Sequence, residues 1–288
     1  MKAKVYFSKN ITPIKVLELY KLINRSLDGK VAVKVHSGEE GNQNFLTPEF
    51  WKPIVDYVDG TVVESNTAYE GMRNTTDKHM ELMEKHGWSK HFSVDILDGE
   101  GPDLELSIPN GKRIKSNFVG KNLANYDSML VLSHFKGHPM GGYGGAIKQL
   151  SIGVASSYGK QYIHGVGVLE NFWNSDHDSF LESMADAASS VVEYLRGNFV
   201  YINVMKNMSV DCDCCSVAED PCMKDIGILV STDPVAIDQA CVDLVYASED
   251  EGKDHLIERI ESRNGVHTIE AAAALGLGSR EYELIEVD

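Results

Sequence analysis

Ser133–His164, SHFKGHPMGGYGGAIKQLSIGVASSYGKQYIH, decides how this chain is read. It follows an apolar run in which Met129, Leu130, Val131 and Leu132 read as a buried strand. Gly141, Gly142, Gly144 and Gly145 then supply a turn where backbone can approach a ligand closely. Ala146 to Ala155 reads as the helix that comes next. A strand, a glycine turn and a helix start place loop amides and the positive helix end together, so the stretch predicts a seat for an anionic ligand or cofactor. His138, Lys148 and His164 flank that seat.

Working outward, short apolar strands alternate with amphipathic helices. Lys4–Ser8 reads as a strand and Ile14–Ile23 as a helix, an opening βα unit. Lys30–His36 alternates as a strand does, which puts Lys34 and His36 on one face. The polar SGEEGNQN loop after it occupies the position where open α/β sheets bind ligands, so Glu39 and Asn42 join His36 as secondary candidates. Thr47-Pro48-Glu49 starts a helix, and strands, helices and capped turns continue through Asp233-Pro234, where Asp caps and Pro opens another helix. This alternation predicts an α/β fold, a parallel or mixed sheet with helices on both faces. The 288 residues admit one large unit or two lobes; we read a single domain over 1–288 with a β insertion at 93–119.

Composition narrows the function. A net charge of −16 argues against a nucleic-acid or anionic-membrane partner, while leaving room for a local basic pocket that takes a small anion. No run has the length of a membrane helix and the N-terminus lacks a signal-peptide core, so the expected compartment is the cytoplasm. The oligomeric state is open. A Walker A loop fails because Gly153 to Lys160 is one residue too long, and no GxGxxG follows a strand. Two Ser-x-x-Lys matches lack the companion motifs of penicillin-recognising enzymes.

Four of the five cysteines, Cys212, Cys214, Cys215 and Cys222, crowd into one acidic stretch. Thiolates in such numbers suit zinc, another soft metal or an iron-sulfur cluster, or else a set of free, partly buried thiols. The acidic rim of Asp211, Asp213, Glu219, Asp220 and Asp225 would raise their pKa values unless a cation is bound.

KVHSGEEGN, the glycine stretch, the CDC run and DIGILVSTDPVAIDQACVDL together resemble domain-of-unknown-function family 362, whose members are often labelled uncharacterised iron-sulfur centre proteins. The resemblance spans nearly the whole chain. Many relatives carry a ferredoxin module after the region of His164; this chain has none there, so an iron-sulfur role would rest on Cys212, Cys214, Cys215 and Cys222. More distantly, HPMGGYGGAIK with a histidine sixteen residues after the lysine resembles nickel-pincer lactate racemases. That likeness implies His138 as an acid/base, Lys148 as the cofactor tether and His164 as a nickel ligand.

The expectation is therefore a metal-dependent or iron-sulfur enzyme acting on a small anionic organic substrate. His138 and Lys148 would be catalytic. Gly141, Gly142, Gly144, Gly145, Lys148, Lys34 and His36 would bind cofactor or substrate, and His164 with the four cysteines would hold metal. The rivals are a non-enzymatic metal or iron-sulfur electron-transfer protein and a non-catalytic anion-binding module.

Overall fold

A computed structural model describes residues 2–288. In chain order the elements are β1 (Ala3–Ser8), α1 (Pro13–Leu22), β2 (Val31–Lys34), α2 (Pro48–Val58), β3 (Thr61–Glu64), α3 (Thr76–Lys85), α4 (Trp88–His91), β4 (Val94–Ile96), β5 (Leu104–Ser107) and β6 (Ser116–Val119). They continue with β7 (Ser128–His134), β8 (Lys136–His138), β9 (Gly142–Gly144), α5 (Ala146–Leu150), α6 (Ser157–His164), α7 (His177–Tyr194), β10 (Phe199–Met205), β11 (Gly227–Ser231), α8 (Pro234–Ala247), α9 (Lys253–Ser262), α10 (Val266–Ala274) and β12 (Tyr282–Glu286).

Eight strands form one mixed sheet in the order β12-β1-β11-β10-β7-β2-β3-β4. β10, β7, β2, β3 and β4 are mutually parallel, and β11 runs antiparallel to both its neighbours. β2, β7 and β10 are buried along their whole length, as their unbroken apolar runs require of strands covered on both faces. One core lies under α5, α7, α8 and α10, and a second lies under α1 and α2 on the opposite face. The α/β architecture expected from the alternation of elements is what the chain adopts.

Helix starts obey the local chemistry. Asp233 accepts from Val235 N and Ala236 N at 2.9 Å each, with Pro234 opening α8, and Thr12 accepts from Lys15 N ahead of Pro13 in α1. Within 93–119, β4 extends the main sheet and β5 pairs with β6 as a separate antiparallel ribbon. The helix expected over Ala146–Ala155 is shorter, ending at Leu150. Ser151 leaves helical geometry at ψ −86°, its hydroxyl takes up the carbonyl of Ile147, and Ala155 bridges to Val119 instead. No helix among the described residues is long and apolar enough to cross a membrane.

Strand order also places the polar groups. From β2 the chain crosses to β3 on one side, whereas from β7 it crosses to β10 on the other. The carboxyl ends of β2 and β7 thus open a crevice at a topological switch point, where α/β sheets bind ligands.

Candidate functional site

Four parallel strands deliver side chains to this crevice. β2 ends in Lys34, with His36 just beyond; β3 ends in Glu64; β7 leads through the β8/β9 ribbon to His138 and Lys148; the loop after β10 carries the cysteines. Together with α6 they enclose a cavity of about 330 Å³ whose lining includes Lys34, His36, Arg73, His138, Lys148, Lys160, His164, Cys214 and Cys215, with Met140, Ile152, Phe172 and Trp173 as its apolar wall. The glycine stretch and the cysteine cluster, far apart in sequence, meet here.

The two histidines of the glycine stretch present opposite faces of the imidazole chemistry. His138 Nδ1 accepts from the amides of Met140 at 3.1 Å and Gly141 at 2.8 Å, which leaves the ring proton on Nε2. His164 Nδ1 lies 2.7 Å from the Lys160 carbonyl, an acceptor only, so His164 carries its proton there and has a free lone pair on Nε2. Its ring stacks on Phe180 at 4.7 Å. Burial, together with the charge of Lys148, lowers His138 to about 4 against the opposing Cys212 thiolate. Burial lowers His164 to about 3, the Lys160 carbonyl opposing and His138, Lys148 and Lys160 assisting. Both rings are neutral around neutral pH.

The cationic inventory is uneven. Lys34 donates to Glu64 Oε2 and to the Val35 carbonyl at 2.5 Å each, Arg73 holds Glu39 at 3.1 Å, and Lys136 holds Asp213 at 2.7 Å. Burial alone would raise the Glu64 carboxyl, but Lys34, then His36, His79 and Arg73, hold it well below the ordinary carboxylate range. Among the described residues no carboxylate pairs with Lys148 or Lys160. Lys160 donates only to the Ala155 carbonyl, at 2.6 Å, and burial draws its amine down to about 7 against the pull of Asp98.

The CDC turn closes with Cys215 N on the Cys212 carbonyl at 2.9 Å. Asn42 Nδ2 clamps the Cys215 carbonyl at 2.8 Å, Glu39 N donates to the Asp213 carbonyl at 2.8 Å, and Tyr69 Oη donates to the Cys214 carbonyl at 3.4 Å. Asn42 and Glu39 therefore brace the site from outside the cavity. The side-chain ligand atoms of His138, Cys212 and Cys214 all lie within 4.8 Å of one another. The expected elevation of these thiols by an acidic rim does not hold for Cys212. Asp213 turns away to His134 and Lys136, and Asp211 lies 3.4 Å from Arg259. Cys212 falls well below the usual thiol range through its hydrogen bond with Cys214 and, against burial, through Lys148, Lys136 and His138, while Cys214 rises correspondingly.

Two groups of expected residues are placed elsewhere. Cys222 does not join the cluster: its amide and sulfur both point at the Met208 carbonyl, at 2.9 and 3.3 Å, and it does not line the cavity. The anion seat at the start of α5 is already filled by the chain's own Asp238, which accepts from Ala146 N at 2.7 Å, Ile147 N at 3.0 Å, Asn203 Nδ2 at 2.7 Å and Tyr143 Oη at 3.2 Å. The glycines serve this closeness. A Cβ on Gly145 would meet Asp238 Oδ1 at 2.5 Å, and one on Gly142, at φ +78°, would meet Gly265 Cα at 2.8 Å. Gly141 faces His138 Nδ1, and Gly144 lies against the stems of Lys136 and Lys148.

Arg73, Glu64, Lys160 and Asp238 escaped sequence reasoning, and Asp213 entered it only as part of the acidic rim. Glu64 had a signal, since it ends a strand as Lys34 does; Asp238, in mid-helix, had none.

A family model described as Domain of unknown function (DUF362) matches residues 31–243, a span that contains every residue lining the cavity. The chain belongs to this family. No curated protein matches. Among solved structures, this DUF362 protein is similar to the lactate racemase apoprotein from Thermoanaerobacterium thermosaccharolyticum, at 15% identity and a TM-score of 0.39, over 69% of this chain and 50% of that one. It is also similar to a Thermotoga maritima protein, at 12% identity and a TM-score of 0.44, over 92% of this chain and 60% of that one. The chain thus spans half to three-fifths of the length of these two structures, and the chemistry has to be argued from its own residues.

Proposed function

We propose that this DUF362 protein is an enzyme that moves a proton on a small anionic organic molecule held in the switch-point cavity. The observation that carries the reading is the pairing of His138, with a proton on Nε2, and His164, with a lone pair on Nε2, in one cavity beside an ammonium, Lys148, that no carboxylate neutralises. One ring can give a proton and the other can take one. Burial lowers both rings most, and an anion bound at Lys148 would offset the part that its charge adds, bringing them closer to neutral pH when substrate is present.

The thiols fit a soft metal better than a cluster. A four-thiolate cluster is not supported, because Cys214 and Cys215 line the cavity, Cys212 joins Cys214 beside His138, and Cys222 is committed elsewhere. A single thiophilic ion is supported by Cys212 and Cys214, whose sulfurs lie within 4.8 Å of each other and of the His138 ring, with Cys214 on the cavity wall. His138 would serve it as a hydrogen-bond donor to sulfur, since ligation through Nε2 would require loss of the proton that its two amide contacts fix there. Bound there, such an ion would supply Lewis-acid stabilisation of negative charge on the substrate.

The test is proton exchange. The protein, purified without oxygen or added chelator, is incubated in D₂O with a panel of small carboxylates and phosphate esters, and loss of carbon-bound proton signals is followed by NMR. Exchange into one panel member, lost in both His138→Gln and His164→Gln, is the expected result. Exchange that survives both substitutions refutes the assignment.

A further inference from the structure

The cavity's charge goes beyond what a single anionic group would need. Four cationic side chains line it, Lys34, Arg73, Lys148 and Lys160, and only the first two hold a carboxylate, Glu64 and Glu39. Lys160 is buried, and one backbone carbonyl is its hydrogen-bond acceptor. The carboxylate that acts on it most is Asp98, whose two oxygens are engaged by the amides of Asn66 and Ser157, at 2.9 Å each. Lys148 is half-buried and no carboxylate pairs with it among the described residues; the Cys212 thiol is an acidic group its charge acts on. A buried amine that no carboxylate pairs directly is destabilised in its charged form until a bound anion supplies the charge. Buried Lys160 and half-buried Lys148 on the wall of one cavity, in a chain of net charge −16, are a local reversal of the protein's field.

We infer that the cavity takes a small organic molecule carrying two negative charges, a dicarboxylate or a phosphate monoester, shared between Lys148 and Lys160, with its apolar body against Met140, Ile152 and Phe172. The volume, about 330 Å³, is at the small end of ligand pockets and suits a compact ligand. Trp173, 63% exposed at the same wall and in edge contact with Phe172 at 4.2 Å, is placed to cover that apolar body once it is seated. This inference rests on the reading of the cavity as an anion site and adds the number of charges.

Matched ligands separate the two claims. Calorimetric titration of the full chain at constant ionic strength compares succinate with butyrate, and phenyl phosphate with its singly charged methyl ester. One dianion should bind at least about tenfold more tightly than its partner. The succinate and phenyl phosphate arms tell a dicarboxylate from a phosphate ester. Lys160→Gln should bring the ratio to about one with the monoanion's affinity unchanged, and Lys148→Gln should weaken both. Lys160→Met should melt no lower than the wild type without ligand, because it removes a buried amine whose charged form burial disfavours and no carboxylate pairs directly. Equal binding of both members of each pair overturns the double charge and leaves the anion site standing; absence of binding by all four removes the anion site itself. A dianion preference that survives in Lys160→Gln overturns the role of Lys160.

Discussion

Removing the carboxylate that fills the start of α5 should unlock the whole glycine crossover. Asp238 is fully buried and accepts from four donors, two of them the amides of Ala146 and Ile147 that begin α5. Asp238→Ala orphans all four, at about 1–3 kcal/mol each. Against this, burial lifts the Asp238 carboxyl from 3.8 to about 6, so its ionised form costs about 3 kcal/mol at neutral pH that the variant no longer bears. The difference is a net loss of about 1–9 kcal/mol, and its midpoint of about 5 corresponds to roughly 10 °C in Tm for a chain of this size. The pH dependence has a definite sign. A carboxyl whose folded pKa is raised favours the folded state most when protonated, so its contribution is present in full below about pH 4 and is lost as pH rises through about 6. Denaturant unfolding of wild type and Asp238→Ala between those limits should therefore show a steeper decline for the wild type as pH rises. Formate, small enough to enter the vacated space, should restore part of the variant's stability. A loss under about 1 kcal/mol at neutral pH would refute the reasoning, and would return the loop amides to the pool of groups free to bind an external ligand.

Three further outcomes can be checked. Gly142→Ala should cost about 1–3 kcal/mol by thermal unfolding, because the new Cβ falls 2.8 Å from Gly265 Cα at a positive φ; a neutral result would deny that close approach. Lys148→Met removes the foremost of the positive charges that lower Cys212, so the thiolate's ultraviolet absorbance should titrate at higher pH than in the wild type. Cadmium titration, read by its sulfur-to-metal charge-transfer band, should be abolished by Cys212→Ser and unaffected by Cys222→Ser, since Cys222 lies against the Met208 carbonyl and outside the cavity.

Much of the site is legible in one dimension. His138, Lys148 and His164 converge on one cavity as the glycine-rich stretch suggests, and Lys34 and His36 reach it from the end of β2. Spacing cannot tell which imidazole carries its proton towards the cavity, because that depends on the amides of Met140 and Gly141 in one case and the Lys160 carbonyl in the other. The glycines signal openness to a ligand, and their openness is real. It is used by Asp238 and Gly265, which approach from segments over a hundred residues away in the case of Gly265 and more than ninety for Asp238. Cysteine counting fails for the same kind of reason: Cys222 lies close to Cys215 in sequence, yet the loop between them carries its sulfur to Met208.

The sequence by itself determined the alternation of buried strands and capped helices, and with it an α/β sheet whose carboxyl edge holds the polar groups, because periodicity and capping are local properties of neighbouring residues. Only the tertiary structure decided which charges are neutralised. Glu64 reaching Lys34, Glu39 reaching Arg73, and nothing reaching Lys148 or Lys160 among the described residues are consequences of strand order, and an ion pair is fixed by distance in space, on which the chain's own numbering is silent.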